Sequence, residues 1–343
     1  MSKKIKFGVV GSNFISDRVI TAGRMDPRFE LTALYSRTPE RAAEYAAKHN
    51  IPHTFNSLEE MVSGDLVDAV YIASPNALHA PQSILCLDHG KHVLCEKPMA
   101  SNAREAREMT AAARRNNRTL MEAMKPTLTP NFQKVRENLH RVGTPRRWFA
   151  SFGKYSSRYD LLKGGDLPNT FNPALANGAA MDIGVYAIYP MVALFGAPEK
   201  IQSTVVMLPS GVDGHGAVNY TYPGGMIATT LYSKMVDMAL PWEIEGEDGT
   251  IRGDAINSIM RLEFRQRGEG AEYAGSNALQ WSDIANPVHS GNDYSYEVSH
   301  FFDLVEAGRV ESDINTHTCS IAVMEIVDEI RRQSGIVYPA DGI

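Results

Sequence analysis

Within the first 124 residues, short apolar runs alternate with segments of helical spacing, and that alternation admits few architectures. Ile5–Val10 ends at Gly11 and leads into Phe14–Ala22. Leu31–Ser36 leads into a helix opened by Thr38-Pro39 and continued by Arg41–His49, with proline at the first helical position. Val67–Ala73 is apolar almost throughout, as a strand covered on both faces should be, and stops at Ser74-Pro75 before Leu78–Asp88. His92–Cys95 closes at Glu96-Lys97-Pro98. The next helix opens at Asn102, has Glu105 in the capping-box position and runs to about Asn116; Thr119–Met124 is one more strand. Repeated β-α units need right-handed crossovers and hence a parallel sheet covered by helices. The expectation is an α/β Rossmann domain over residues 1–124, doubly wound, with ligands beyond the carboxyl ends of its strands.

From Lys125 the pattern changes. A helix is predicted at Asn131–Arg141 and a strand at Arg147–Gly153, followed by a turn-rich stretch, Lys163–Asn177. Strand-like runs come at Ile201–Leu208, Ala217–Tyr222, Met226–Tyr232 and Trp242–Glu245, and helices at Tyr294–Val305 and about Thr318–Arg332. Gly268–Asp293 is polar and irregular and reads as a long loop. Strands in succession without helices between them imply an antiparallel sheet, so residues 125–343 are expected to form an α+β domain.

Gly178–Gly196 is nearly apolar and about long enough to span a membrane. Asp182 and Pro190 lie inside it and no cluster of Lys or Arg flanks it, so it reads instead as a buried helix. Composition agrees. The net charge of −6 offers no cationic field for nucleic acid or an anionic membrane. Cys86, Cys95 and Cys319 are too few and too scattered for a disulfide framework or a zinc site. The N-terminus enters a strand pattern without the apolar core of a signal peptide. A soluble, cytoplasmic protein is expected.

Several stretches carry side chains suited to chemistry. The loop Gly11-Ser12-Asn13-Phe14-Ile15-Ser16 stands where a dinucleotide fingerprint would read G-x-G-x-x-G/A, and only its first glycine is present. Asn13 takes the second glycine's place, and asparagine is among the few residues that tolerate positive φ. A tight turn without ligand is the alternative, although the context sets a helix N-terminus where phosphate would sit. At the end of the second strand, Tyr35-Ser36-Arg37 has no acid to bind both ribose hydroxyls. Arg37 suits a 2′-phosphate instead, so NADP is the charge-compatible cofactor, with NAD possible. Arg41 can serve equally, or Arg37 is a plain surface residue. Ser74-Pro75-Asn76-Ala77-Leu78-His79 and Glu96-Lys97-Pro98 follow two further strands; taken singly, His79 suits a helix cap and Lys97 a solvated turn. On the apolar helix, Asp182 and Tyr186 are four apart and share a face, with Tyr189 three further on. The plain reading makes Asp182 a cap and Tyr186 a core residue.

Glu96-Lys97-Pro98, Ser74-Pro75-Asn76 with His79, and Gly178-Ala179-Ala180-Met181-Asp182-Ile183-Gly184-Val185-Tyr186 together resemble the Gfo/Idh/MocA family of NAD(P)-dependent oxidoreductases. The likeness is strongest to the branch of dimeric dihydrodiol dehydrogenases and NADP-dependent xylose dehydrogenases, and it extends through Gly249-Thr250-Ile251-Arg252 and Gly335-Ile336-Val337-Tyr338-Pro339. It implies a C-terminal domain with an open, mainly antiparallel sheet through which a homodimer or homotetramer forms. Cofactor contacts are implied at Gly11, Ser12, Asn13, Phe14, Ile15, Ser36, Arg37, Arg41, Ser74, Pro75, Asn76, His79, Glu96 and Lys97. It further implies that Lys97 reaches the oxygen of the reacting carbon, that Lys97-Pro98 can be cis, and that Asp182 and Tyr186 line the same cavity. Tyr186 stands where many members carry His, and Met124-Lys125-Pro126 stands where others have aromatic residues or Arg.

The expected activity is hydride transfer between nicotinamide and a secondary alcohol or carbonyl of a sugar, polyol or dihydrodiol, without a metal. Either Tyr186 or Lys97 moves the proton, and Asp182 balances the Lys97 charge. An ordinary phenol holds its proton to about pH 10, and a neighbouring ammonium favours the phenolate. Two other readings keep the fold: a nucleotide-bound sensor without catalysis, and an NAD-dependent glycosidase with no net redox change.

Overall fold

Local signals for several helices are satisfied by side chains in the computed structural model, which describes residues 3–268, 280–286 and 292–342. The first strands and helices are β1 (Ile5–Val10), α1 (Phe14–Gly23), β2 (Phe29–Tyr35), α2 (Pro39–His49), β3 (His53–Phe55), α3 (Leu58–Ser63), β4 (Ala69–Ile72), α4 (His79–Asp88), β5 (His92–Glu96), α5 (Ala103–Asn116) and β6 (Leu120–Ala123). Asn102 caps α5 by accepting from the Glu105 amide at 2.9 Å, while the Glu105 carboxylate reaches back to the Ser101 amide at 3.0 Å, one residue before the cap. The six strands pair in parallel in the order β3-β2-β1-β4-β5-β6. The order reverses between β1 and β4, which puts a ligand crevice at their carboxyl ends. β4 is buried at every residue, which explains its unbroken apolar run. The sequence reading had neither β3 nor α3. β3 has three residues, none of them buried, so it carries no apolar pattern to detect.

The next stretch contains α6 (Pro130–Asn138), β7 (Pro145–Gly153), α7 (Ser157–Lys163), a π-helical turn over Ala180–Gly184 and α8 (Val185–Phe195). The strands β8 (Lys200–Met207), β9 (Asp213–Thr221), β10 (Ile227–Ser233), β11 (Trp242–Gly246), β12 (Gly249–Ala255), β13 (Ser258–Gln266) and β14 (Ser282–Asp283) follow. They form one sheet in the order β14-β13-β12-β11-β7-β10-β9-β8, antiparallel except where β7 runs parallel to β10. Three corrections follow. β12 and β13 were not expected as strands, because glycines at 249 and 253 and charged residues along both strands break the alternation. The helix predicted at Asn131–Arg141 is α6 followed by a tighter 3₁₀ turn, Leu139–Val142. Of the loop read over Gly268–Asp293, residues 269–279 and 287–291 lie outside the described residues, while Ser282–Asp283 adds a strand to the sheet.

By length and composition Pro173–Phe195 could cross a membrane, but most of it is buried as the core helix of this unit. Trp148 of β7 packs on Phe195 at 6.1 Å and on Trp242 of β11 at 5.8 Å. Two helices close the chain, α9 (Tyr294–Glu306) and α10 (His317–Ser334). Phe301 and Phe302 of α9 join Phe7 and Phe29 in an aromatic cluster over the parallel sheet. The two compact units therefore do not follow one cut in the chain. Residues up to Lys125 form the first unit with a returning stretch through Met324 and the C-terminal residues from Ala340; the rest forms the second.

Candidate active site

In the first unit, the loop after β1 meets the end of β4 at the reversal of strand order. Gly11 has φ +109°, and a Cβ there would lie 2.6 Å from the Ala73 carbonyl oxygen, so this glycine is required on two grounds. Asn13 corrects the sequence reading. Its φ is −117°, not positive, and it works through its side chain. The Asn13 carboxamide oxygen accepts from the Ile15 and Ser16 amides, each at 3.0 Å, and its Nδ2 donates to the Ala73 carbonyl at 2.8 Å. The N-terminus of α1 is thus capped by its own loop. Ser16 is buried against the turn and donates to the Gly11 carbonyl at 2.9 Å, while Phe14 is 69% exposed.

At the end of β2, Ser36 is buried and Arg37 exposed. Arg41 is tied to the glycine loop: its Nε donates to the Ser12 hydroxyl at 2.9 Å and its Nη2 to the Ser12 carbonyl at 3.2 Å. This set fits a nicotinamide dinucleotide. A glycine admits the close turn, a helix N-terminus follows, and two arginines without an acidic neighbour at 36 or 37 favour a phosphorylated ribose. Arg37→Ala is expected to raise KM for NADP by about tenfold while leaving KM for NAD nearly unchanged. Steady-state kinetics with both cofactors check this; if the preference is unchanged, Arg41 is the reader.

The ends of β4 and β5 are stapled together. His79, fully buried, contacts the Ser74 carbonyl through Nε2 and the Pro98 carbonyl through Nδ1, each at 2.9 Å. Both partners are acceptors, so a neutral ring donates to only one of them. Burial holds the His79 pKa below its ordinary value, with the Lys97 charge adding to the effect and the two carbonyls opposing it. The Ser74 hydroxyl donates to Gln82, and Pro75 leads into a 3₁₀ turn with Asn76 buried. Lys97-Pro98 is cis. Around this turn the Lys97 amide donates to Glu96 at 3.2 Å, and the Met99 amide donates to Glu122 at 3.0 Å. Glu96 is buried and also accepts from the Tyr71 hydroxyl; burial raises its pKa while Lys97 opposes the rise. Burial likewise pushes the Glu122 carboxyl up to about 7. Sequence reasoning had missed Glu122, since nothing local marks a single acid in an apolar strand as a turn anchor.

The second unit holds Asp182 and Tyr186. Between Gly178 and Val192 every other residue is buried, and these two alone are partly exposed. The Tyr186 ring packs edge-on against Phe152 at 5.4 Å. Asp182 does not cap the helix. Asp213, fully buried at the start of β9, accepts from the Ala179 amide at 3.0 Å and the Ala180 amide at 2.8 Å. A Cβ on Gly178 would lie 2.4 Å from the Asp213 carboxylate, so glycine makes room for the cap. Asp182 sits in the π-turn, paired with Lys234. Neither Asp213 nor Lys234 was found from sequence. Asp213→Ala leaves two buried amides unpaired and is expected to cost about 1–3 kcal/mol, measurable by urea unfolding, with Asp213→Asn losing less.

Family comparison gives the same picture. Residues 5–124 match an oxidoreductase family with an NAD-binding Rossmann fold, and residues 132–252 match the Gfo/Idh/MocA C-terminal domain. The chain is 48% identical over 337 residues to scyllo-inositol 2-dehydrogenase (NADP(+)) IolU of Bacillus subtilis (strain 168), covering 98% of this chain and 99% of that protein. It is 30% identical over 344 residues to trans-1,2-dihydrobenzene-1,2-diol dehydrogenase of Sus scrofa, covering 98% and 99%. Among solved structures, levoglucosan dehydrogenase in complex with NADH and levoglucosan superposes with a TM-score of 0.82 at 18% identity, covering 97% of this chain and 98% of that one. With both domain families matched in order along a chain of this fold, the protein belongs to the Gfo/Idh/MocA family of NAD(P)-dependent oxidoreductases.

Proposed function

We propose that the chain is an NADP-preferring dehydrogenase of a ring secondary alcohol in a cyclic polyol or related sugar, in which Lys97 and Tyr186 serve the reacting hydroxyl and Asp182 binds the substrate. The observation that carries this is the buried helix of the second unit, which exposes a carboxylate and a phenol and nothing else between Gly178 and Val192. Together they set a hydrogen-bond acceptor and a phenol on one helix face, the groups that bind and deprotonate an alcohol. The 48% identity to an NADP-dependent scyllo-inositol dehydrogenase supports the polyol class.

The nicotinamide cofactor, held by the Gly11–Ser16 loop and Arg37 or Arg41, supplies the hydride acceptor when bound. An alcohol keeps its proton at neutral pH, so a base must take it as the carbon loses hydride. We assign that role to Tyr186. Lys97 stabilises the negative charge developing on the substrate oxygen, as a preorganised cation does in a site shielded from water. His79, Glu96 and Glu122 fix the turn from which Lys97 projects. A homodimer through the antiparallel sheet and a cytoplasmic location belong to the same proposal; that all three cysteines are buried and outside any disulfide fits a reducing compartment. The test is a panel of cyclitols, aldoses and diols with NADP and NAD, followed at the reduced-nicotinamide absorbance band. Turnover of a cyclic polyol, faster with NADP, is expected. Glycoside cleavage without added cofactor, or cofactor binding without turnover of any alcohol, would overturn the proposal.

A further inference from the structure

Asp182 is gripped from within its own unit by residues that no local signal connects to it. Lys234 follows directly on β10, and its side chain is 7% exposed. Its ammonium donates to Asp182 Oδ2, and the Thr170 hydroxyl donates to the same oxygen at 3.3 Å. The Phe171 ring lies 5.7 Å from the amine. A buried ammonium is costly unless paired, and so is a carboxylate on an apolar helix, so each group makes the other tolerable. The pair is asymmetric. The lysine end is buried, whereas the Asp182 side chain is 30% exposed and shares a helix face with Tyr186.

We infer that Lys234 is a positioning residue that holds Asp182 as an ionised acceptor for a second substrate hydroxyl, so that the site selects alcohols carrying a hydroxyl on the neighbouring carbon. This rests on the function proposed above. An ionised carboxylate can only accept, and its hydrogen bond from a hydroxyl is charge-assisted and stronger than one between neutral groups. A substrate lacking that hydroxyl forgoes the charge-assisted bond, which is the basis of the discrimination. Without Lys234 the carboxylate loses the partner that fixes its rotamer.

The test compares kcat and KM for a cyclic polyol and for its deoxy analogue missing one hydroxyl beside the reacting carbon. The wild type should favour the polyol in kcat/KM. Lys234→Met should reduce that preference by about tenfold, chiefly through KM for the polyol, with the analogue little affected. Lys234→Arg should restore most of it. Thr170→Val removes a second donor to the same oxygen without uncovering a charge, so it reads the same ratio with the ion pair intact; a fall of a few-fold is expected. Equal losses on both substrates, or an unchanged ratio in Lys234→Met and Thr170→Val, would show a purely structural pair and overturn the inference alone. A wild type inactive on every polyol would overturn the functional reading and this inference with it.

Discussion

Lys97→Met is expected to lower kcat by about a hundredfold or more on a good polyol substrate while cofactor binding survives. The lysine stands at the carboxyl end of β5, on a turn whose backbone is held at Lys97, Pro98 and Met99 by Glu96, His79 and Glu122. Three buried side chains fixing three consecutive residues is a large investment in one side chain's direction, and such preorganisation matters where charge develops in a transition state. Methionine keeps the length and apolar stem of lysine and removes the ammonium, so the loss should fall on kcat and not on folding. Fluorescence titration with NADPH separates the two. Near-normal turnover with intact cofactor binding would remove Lys97 from the chemistry. A companion Tyr186→Phe variant assigns the proton. If tyrosine is the base, the phenylalanine variant loses the alkaline dependence of kcat; if lysine is, the dependence persists at reduced rate.

Glu297→Gln should make the protein markedly more resistant to alkaline unfolding. Glu297 of α9 is fully buried, and neither carboxylate oxygen has a hydrogen-bond partner among the described residues. Burial holds its pKa well above the usual 4.5, the Glu96 carboxylate pushes the same way, and Lys125 opposes both. Asp293, ion-paired with Lys125, adds a further push upward, and the Tyr71 hydroxyl donates to Glu96. The folded protein therefore binds the Glu297 proton more tightly than the unfolded chain does. Its contribution is complete below about pH 4.5 and is lost as pH rises through the raised folded-state value. Glutamine has the same shape and no proton to lose. The variant should gain several degrees in Tm over the wild type at about pH 9 and little at about pH 5. A pH-independent difference between the two would mean that Glu297 does not titrate in the folded protein.

Much of the first unit is legible because its signals are local. Parallel strands buried on both faces read as apolar runs, Asn102 and Glu105 mark a helix start three residues apart, and Thr38-Pro39 marks another. The lysine turn, the histidine turn and the acid–phenol helix could be named because each sits at the end of a recognisable element. The glycine loop was only half legible: a missing glycine at 13 suggested an unusual backbone, and the chain answers with ordinary backbone and a capping side chain. β3 and β12 escaped notice because a strand of three residues without a buried one, and a strand with two glycines, leave no periodic trace.

What this chain's order of residues dictates unaided is the succession of strands and helices, the burial of most of the 178–196 segment, and the positions of Lys97 after a strand and of Asp182 and Tyr186 on one helix face. What folding had to supply is the set of partners. Asp182 and Lys234 are 52 positions apart, Asp213 reaches back 33 and 34 positions to the amides it caps, and Glu122 anchors an amide 23 positions before it. The Asp182, Asp213 and Glu122 contacts reach across from the ends and edges of neighbouring strands, and strand order is a long-range outcome of closing sheets around a core. No residue's immediate neighbours encode it.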